Sequence, residues 1–176
     1  MSSCERYNLK TSKWEKIASL NSKRCTASSI VSNGQLFVLG GYHGTGRGRE
    51  IERYNEIENR WEIIDLALKH PIEASLLFTL SENDIILLGG KDQYNQTNYA
   101  TIYDLANNTI REGPSMPASH ILAKGARYGN RLICYGGSTN SQFNVLDLPS
   151  SSWYSIPVPE FVENKILGRI SSGQGR

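Results

Sequence analysis

Residues 40–49 read GGYHGTGRGR, and glycines interleaved with Arg47 and Arg49 suggest an anion site. Glycine lets backbone N–H groups converge on a phosphate, and arginine supplies the countercharge. From Gly41 to Gly48 the glycines have P-loop spacing. The match fails where the chemistry is done: Arg47 stands in place of the phosphate-binding lysine, and Gly48 in place of the Mg²⁺-binding hydroxyl. The G-x-G-x-x-G register of a dinucleotide turn is also missing. Other reactive side chains are scattered. His43, His70 and His120 each stand alone, with no H-E-x-x-H and no G-x-S-x-G around them. Glu73 with His120 would suit a metal or acid–base pair, although structural hydrogen bonding is the simpler role for both. Cys4, Cys25 and Cys134 are odd in number and form no C-x-x-C, so they read as reduced thiols rather than zinc ligands or a disulfide framework. No catalytic residue, metal or cofactor is expected.

The elements that position these groups follow from composition and repetition. The chain has 176 residues, 39% hydrophobic and 20% charged, which suits one globular domain. Sixteen glycines and nine tyrosines favour strands and turns. A net charge of +2 without a basic patch argues against nucleic-acid binding. No secretory leader or membrane-length apolar run is legible, so a cytoplasmic location is expected.

A doubled glycine closes an apolar run three times: QLFVLGG ending at Gly41, DIILLGG at Gly90 and RLICYGG at Gly137. A second marker keeps the same period, pairing Tyr7 with Trp14, Tyr54 with Trp61, Tyr103 with Ile110 and Leu146 with Trp153. Asn8, Asn55, Asp104 or Asp147 follows each first member, a residue able to start a turn through its own side chain. Each such spacing predicts a hairpin whose large residues face one another. Each doubled glycine predicts a strand end with unusual φ or a close backbone approach.

The combination resembles the Kelch family, whose repeat carries a basic residue, a strand, a second strand ending in Gly-Gly, and a tyrosine–tryptophan hairpin. The resemblance implies an all-β fold, an incomplete arc of a Kelch-type β-propeller built from four-stranded antiparallel blades. It places a propeller arc over residues 1–157, with a half blade at 5–17 and blades at 24–64, 71–112 and 119–156. The tail, 158–176, begins a further blade if Arg169 repeats Arg24. Sixteen residues before each first glycine stand Arg24, Glu73 and His120, which spacing makes equivalent. Fourteen strands leave apolar flanks open, so a homo-oligomer or a second chain is expected to complete the ring.

The opening loop then reads most simply as a turn between the second and third strands of a blade. KDQYNQTNY (91–99) and STNSQ (138–142) are its counterparts. By resemblance, this face of the propeller holds a partner segment. Arg24, Arg47, Arg49 and His120 would contact an anion or backbone, Lys91 and His43 would add charge, and Tyr42 and Tyr94 would be platforms. An acidic or phosphorylated segment fits that set. The expected function is a non-catalytic protein–protein interaction scaffold. A structural subunit docking through open propeller edges is the alternative, and a galactose-oxidase-like enzyme a minor one. Neither actin binding nor ubiquitin-ligase recruitment is selected by any residue.

Overall fold

The computed structural model describes residues 1–137 and 142–157. Arg169 and the rest of the stretch 158–176, like loop residues 138–141, lie outside the described residues. Among the described residues fourteen strands follow one another: β1 Cys4–Asn8, β2 Lys13–Ile17, β3 Ser28–Ser32, β4 Gln35–Leu39, β5 Glu50–Asn55, β6 Arg60–Ala67 and β7 Leu76–Thr79. Then come β8 Asp84–Leu88, β9 Ala100–Asp104, β10 Thr109–Glu112, β11 Lys124–Tyr128, β12 Arg131–Tyr135, β13 Gln142–Asp147 and β14 Ser152–Pro157. They form a two-stranded sheet, β1–β2, and three four-stranded meanders, β3–β6, β7–β10 and β11–β14, all antiparallel. Among the described residues there is no helix long and apolar enough to cross a membrane.

The outer hairpins form as their residues dictate. Tyr7 faces Trp14, Tyr54 faces Trp61, Tyr103 faces Ile110 and Leu146 faces Trp153. Asn8 Oδ1 accepts from the Lys10 and Thr11 N–H groups at 2.9 and 3.2 Å, and Asn55 Oδ1 from Glu58 at 3.1 Å. Asp104 and Asp147 do the same for Ala106, Asn107 and Ser150. Each loop then leaves through a left-handed residue, Ser12, Asn59, Asn108 or Ser151, with φ between 44° and 54°. One hairpin recipe is used four times.

The doubled glycines at 40–41 and 89–90 join adjacent blades. All six doubled glycines, those at 136–137 included, have φ between 60° and 99°. A Cβ on Gly40 would stand 2.4 Å from the Ile72 carbonyl oxygen, and one on Gly89 2.6 Å from that of His120. Those same carbonyls accept the Gly41 and Gly90 N–H groups at 2.8 and 2.6 Å. A second, inner ladder runs just before β3, β7 and β11. The Ala74 N–H donates to the Thr26 carbonyl (2.8 Å), and the Leu122 N–H to the Ala74 carbonyl (3.2 Å). Thr26, Ala74 and Leu122 all take φ near 50–56°, a conformation their side chains disfavour, so contacts between blades must hold it.

Two residues before each member of this ladder stand Arg24, Ile72 and His120. Spacing alone points to Glu73 as the middle equivalent, and here the structure corrects it. The turn from β7 to β8 is one residue longer than its counterpart, Phe78 pairing with Ile86 where Ile30 pairs with Phe37. Counting back sixteen residues from Gly89 therefore stops one short.

The core lies in the seams between sheets. Phe37, Leu39, Ile51, Leu66 and Leu68 of the first full blade pack on Ile72, Ile85, Leu87 and Tyr103 of the second. Phe78, Ile86, Leu88, Ala100 and Met116 pack on Leu132, Cys134 and Leu146 of the third. A fully buried Leu or Ile is worth about 1.5–3 kcal/mol, so the seams carry most of the apolar stabilisation. The indoles of Trp61 and Trp153 tie each blade to its predecessor, donating to the Ala18 and Pro114 carbonyls at 2.9 and 2.6 Å. Among the described residues, nothing covers the far face of the third blade. Leu39 and Leu88 are 1% and 0% exposed, but their counterpart Tyr135 is 41% exposed. Beside it lie Tyr128, Tyr154 and Ile156, and nothing described comes within 4 Å of a Cβ on Gly136.

Candidate functional site

The loops between the second and third strands of the first two blades share one backbone path. In the first, the His43 N–H donates to the Gly46 carbonyl (2.8 Å) and the Gly48 N–H to that of Gly41 (2.9 Å). In the second, Asp92 and Thr97 donate to Asn95 and Gly90 at 3.0 and 2.9 Å. Bridges between Tyr42 and Arg47, and between Lys91 and Gln96, complete the match. A sequence with no glycine between Lys91 and Tyr99 therefore builds the same turn as YHGTGRGRE. Asp92 makes this possible, its Oδ1 accepting the Tyr94 and Asn95 N–H groups at 2.8 and 2.9 Å. The N–H groups of His43 and Gly48 are spent closing the loop and do not converge on a phosphate.

Side chains on this frame divide into clasps and exposed groups. Arg47 Nη2 meets Glu73 Oε1 at 2.6 Å with both side chains 14% exposed, and Thr26 donates to the other Glu73 oxygen at 2.6 Å. Glu73 thus clasps the first blade's loop to the second blade, a role that Arg47's place in a basic run hides. Arg47 also lies 6.0 Å above the Tyr42 ring. Arg49 donates from Nε to the Leu68 carbonyl at 2.6 Å while remaining exposed. His43 Nε2 sits 3.7 Å from Glu50 Oε2, beyond hydrogen-bond reach. Tyr94 is 76% exposed, Tyr42 is exposed at 36%, and Lys91 is half-buried. Asp92 is held below the usual aspartate range, chiefly by the Asn95 N–H, with the Tyr94 N–H and Tyr99 hydroxyl adding to it.

Arg24 and His120 do not belong to this surface. Arg24 is buried, its Nη1 donating to the Gly40 carbonyl (2.8 Å) and its Nη2 to Glu52 (2.5 Å). His120 is 1% exposed. Its Nδ1 lies 3.0 Å from the Gly136 carbonyl and its Nε2 2.7 Å from Asn144 Nδ2. A carbonyl only accepts, so the proton is on Nδ1 and Nε2 accepts from Asn144. Ser155 Oγ then donates to Asn144 Oδ1 at 2.8 Å, which fixes the amide's orientation. Both residues pin the carbonyl of a doubled glycine from inside the blade. The expectation of ligand contacts from Arg24 and His120 is corrected accordingly. The reason is that the mouth of the inner strand is covered by the strand's own blade.

The three histidines occupy separate places, His70 being stacked on Tyr99 with ring centroids 4.6 Å apart. Among the described residues, no group of three or more His, Cys, Asp or Glu side chains could hold a metal ion.

Comparison with known proteins agrees with this architecture. The Kelch motif matches residues 23–64. Kelch-like protein 25 of Rattus norvegicus is 31% identical over 62 residues, covering 35% of this chain and 10% of that protein. Kelch repeat protein C2 of Cowpox virus (strain GRI-90 / Grishak) is 24% identical over 148 residues, 82% of this chain. The chain carries a Kelch motif and resembles Kelch-repeat proteins over most of its length. It spans a tenth of the length of Kelch-like protein 25 and 28% of C2. The solved structure of YjhT superposes on the Kelch arc with a TM-score of 0.78 at 15% identity, covering 90% of this chain and 59% of that one. That likeness concerns the fold alone. Kelch repeats point, in general terms, to protein–protein interaction.

Proposed function

We propose that this Kelch arc is a non-catalytic, cytoplasmic interaction scaffold that holds a partner segment on its loop face. The single observation carrying this reading is the shared path of loops 41–48 and 90–97. One rigid frame presents Tyr42, Arg47 and Arg49 in one blade and Lys91 and Tyr94 in the next. Function on such scaffolds resides in loops of this kind. Arg49 and Lys91 supply charge at the surface, Tyr42 and Tyr94 supply flat amphipathic contact, and His43 stands beside Glu50 in the first loop. Arg47 contributes mainly by holding the loop. An acidic or phosphorylated segment is the partner of matching chemistry. The test is binding of acidic and phosphoserine peptide arrays to the intact chain, compared with Arg49→Glu/Lys91→Glu. Loss of binding with unchanged thermal unfolding supports the reading, and unchanged binding removes it.

A second reading rests on the uncovered face of the third blade, where Tyr135 and Gly136 stand open while Leu39, Leu88, Gly40 and Gly89 are covered. An exposed apolar sheet face of this kind suits docking into a larger assembly, with a second copy or another chain as its cover. Light scattering across a concentration series tests it. Association that Tyr135→Asp abolishes is expected, and a monomer at all concentrations contradicts it.

A further inference from the structure

The two open flanks of the chain are the two halves of one seam. At a seam, the later blade turns the first residue of its outer hairpin pair toward its predecessor. Tyr103 is buried in this way against the first full blade and Leu146 against the second. Their counterpart in the two-stranded sheet is Tyr7, which is exposed, its ring 5.4 Å from that of Trp14. The earlier blade turns its opposite face. On the third blade, strand register puts Ile133, Val145 and Tyr154 in one row and Phe143 beside Ile156 in the next. Tyr135 joins them, with its ring 5.5 Å from that of Phe143. The counterparts of Phe143 are Ile51 and Ala100, each buried against the blade that follows.

One hydrogen bond marks how such faces meet. Trp61 and Trp153 are second members of their hairpin pairs, and each indole donates across a seam to the preceding sheet. The acceptors are the Ala18 carbonyl at 2.9 Å and the Pro114 carbonyl at 2.6 Å. Ala18 stands four residues after Trp14, and Pro114 four after Ile110, so the acceptor has a fixed place in the repeat. The same count from Trp153 reaches Pro157, the last residue of β14 on the open flank. On the other flank Trp14 is 69% exposed, against 6% for Trp61, and no described residue accepts from its indole. A buried indole N–H takes a partner, and an exposed ring of this size is a strong anchor. One chain thus carries the unused donor of a seam and, at the matching place, the carbonyl that its repeat uses as acceptor.

Resting on the second reading above, we propose that the cover of the third blade is the β1–β2 sheet of a second copy of this chain. The copies dock head to tail, Tyr7 and Trp14 of one packing on Tyr135, Tyr154 and Ile156 of the other. The Trp14 indole then donates to the Pro157 carbonyl across the new seam. Unlike faces meet, so the contact is heterologous and continues from copy to copy unless a ring closes.

The test compares the intact chain with Trp14→Asp and Tyr135→Asp by light scattering over a concentration series. Thermal unfolding of dilute samples checks that each variant folds. The unaltered chain is expected to associate, and each variant alone to remain a monomer. An equimolar mixture of the two variants should form a one-to-one dimer and grow no further, because each retains the flank that the other has lost. Trp14→Phe keeps the ring and loses only the N–H, and should associate about tenfold more weakly. If Trp14→Asp does not fold, the Trp14 indole N–H signal of the unaltered chain is followed by NMR instead. It should shift saturably with concentration while those of Trp61 and Trp153 stay in place. Association that Trp14→Asp leaves intact, an indole signal that does not move, or a variant mixture that stays monomeric would overturn the head-to-tail contact and leave the open face as a docking surface. Full affinity in Trp14→Phe would overturn the bond to Pro157. An unaltered chain that is monomeric throughout would remove both this contact and the reading on which it rests.

Discussion

Arg24 and Glu52 meet at 2.5 Å with side chains 1% and 0% exposed, in the socket that His120 and Asn144 occupy in the third blade. Glu52 also accepts two bonds from Asn21, at 2.8 and 2.9 Å. Removing one member of a buried pair leaves the other charge unpaired, at a cost of about 3–5 kcal/mol. Glu52→Asn is expected to destabilise on that scale in chemical denaturation. Arg24→His/Glu52→Asn installs the third blade's neutral pair and should recover part of the loss. A double variant less stable than Glu52→Asn would show the two sockets are not interchangeable.

The doubled glycines should differ in tolerance according to their neighbours. Gly136→Ala meets only backbone strain at φ 69°, a cost of about 1–2 kcal/mol. Gly89→Ala meets similar strain at φ 62° and also the His120 carbonyl at 2.6 Å, which must move with its seam. An additional loss of about 1–3 kcal/mol is expected from such overpacking. Urea titrations of the two variants check it, and equal losses would contradict it.

Asp92 gives the second loop a pH dependence. Its folded-state pKa lies below the ordinary value, chiefly through the Asn95 N–H. Its contribution is therefore fully present above the unfolded value, about 3.9 for aspartate, and fades as pH falls through the lower folded value. Amide exchange at Tyr94 and Asn95 should accelerate on acidification in excess of its intrinsic pH dependence. The Gly46–Gly48 segment of the first loop, which has no aspartate, should show less. Asp92→Asn should abolish the difference.

Thiol chemistry separates surface from seam. Cys134 is buried against the second blade, and burial pushes its thiol up to about 12. Cys25 is exposed. Iodoacetamide at mildly alkaline pH should modify Cys25 in the folded chain and reach Cys134 only on unfolding, because the thiolate is the reactive form. Peptide mapping by mass spectrometry reads both, and equal rates would be inconsistent with the packed seam.

What the sequence made legible was whatever one residue type accomplishes locally. Paired glycines needing positive φ, aromatic pairs across a hairpin and a turn-starting Asn or Asp carry their conformations in their own chemistry. The Thr26–Ala74–Leu122 ladder was invisible for the opposite reason: none of these residues favours φ above zero, and only a neighbouring blade imposes it. The Glu73 misalignment has a similar origin, since one added turn residue moves the count without disturbing the strands. Arg24 and His120 looked like surface groups because their partners, Glu52 and Asn144, come from a strand whose distance along the chain differs between the two blades.

The inner ladder also has a mechanical meaning. Each blade hands one carbonyl to its successor along this line, beside the glycine N–H bonds that cross the same seams. The step from Ala74 to Leu122, at 3.2 Å, is longer than the 2.8 Å step from Thr26 to Ala74. The Gly90–His120 bond across that same seam is shorter, at 2.6 Å, so a pull on the chain should part rung and glycine bond together and free the third wedge whole.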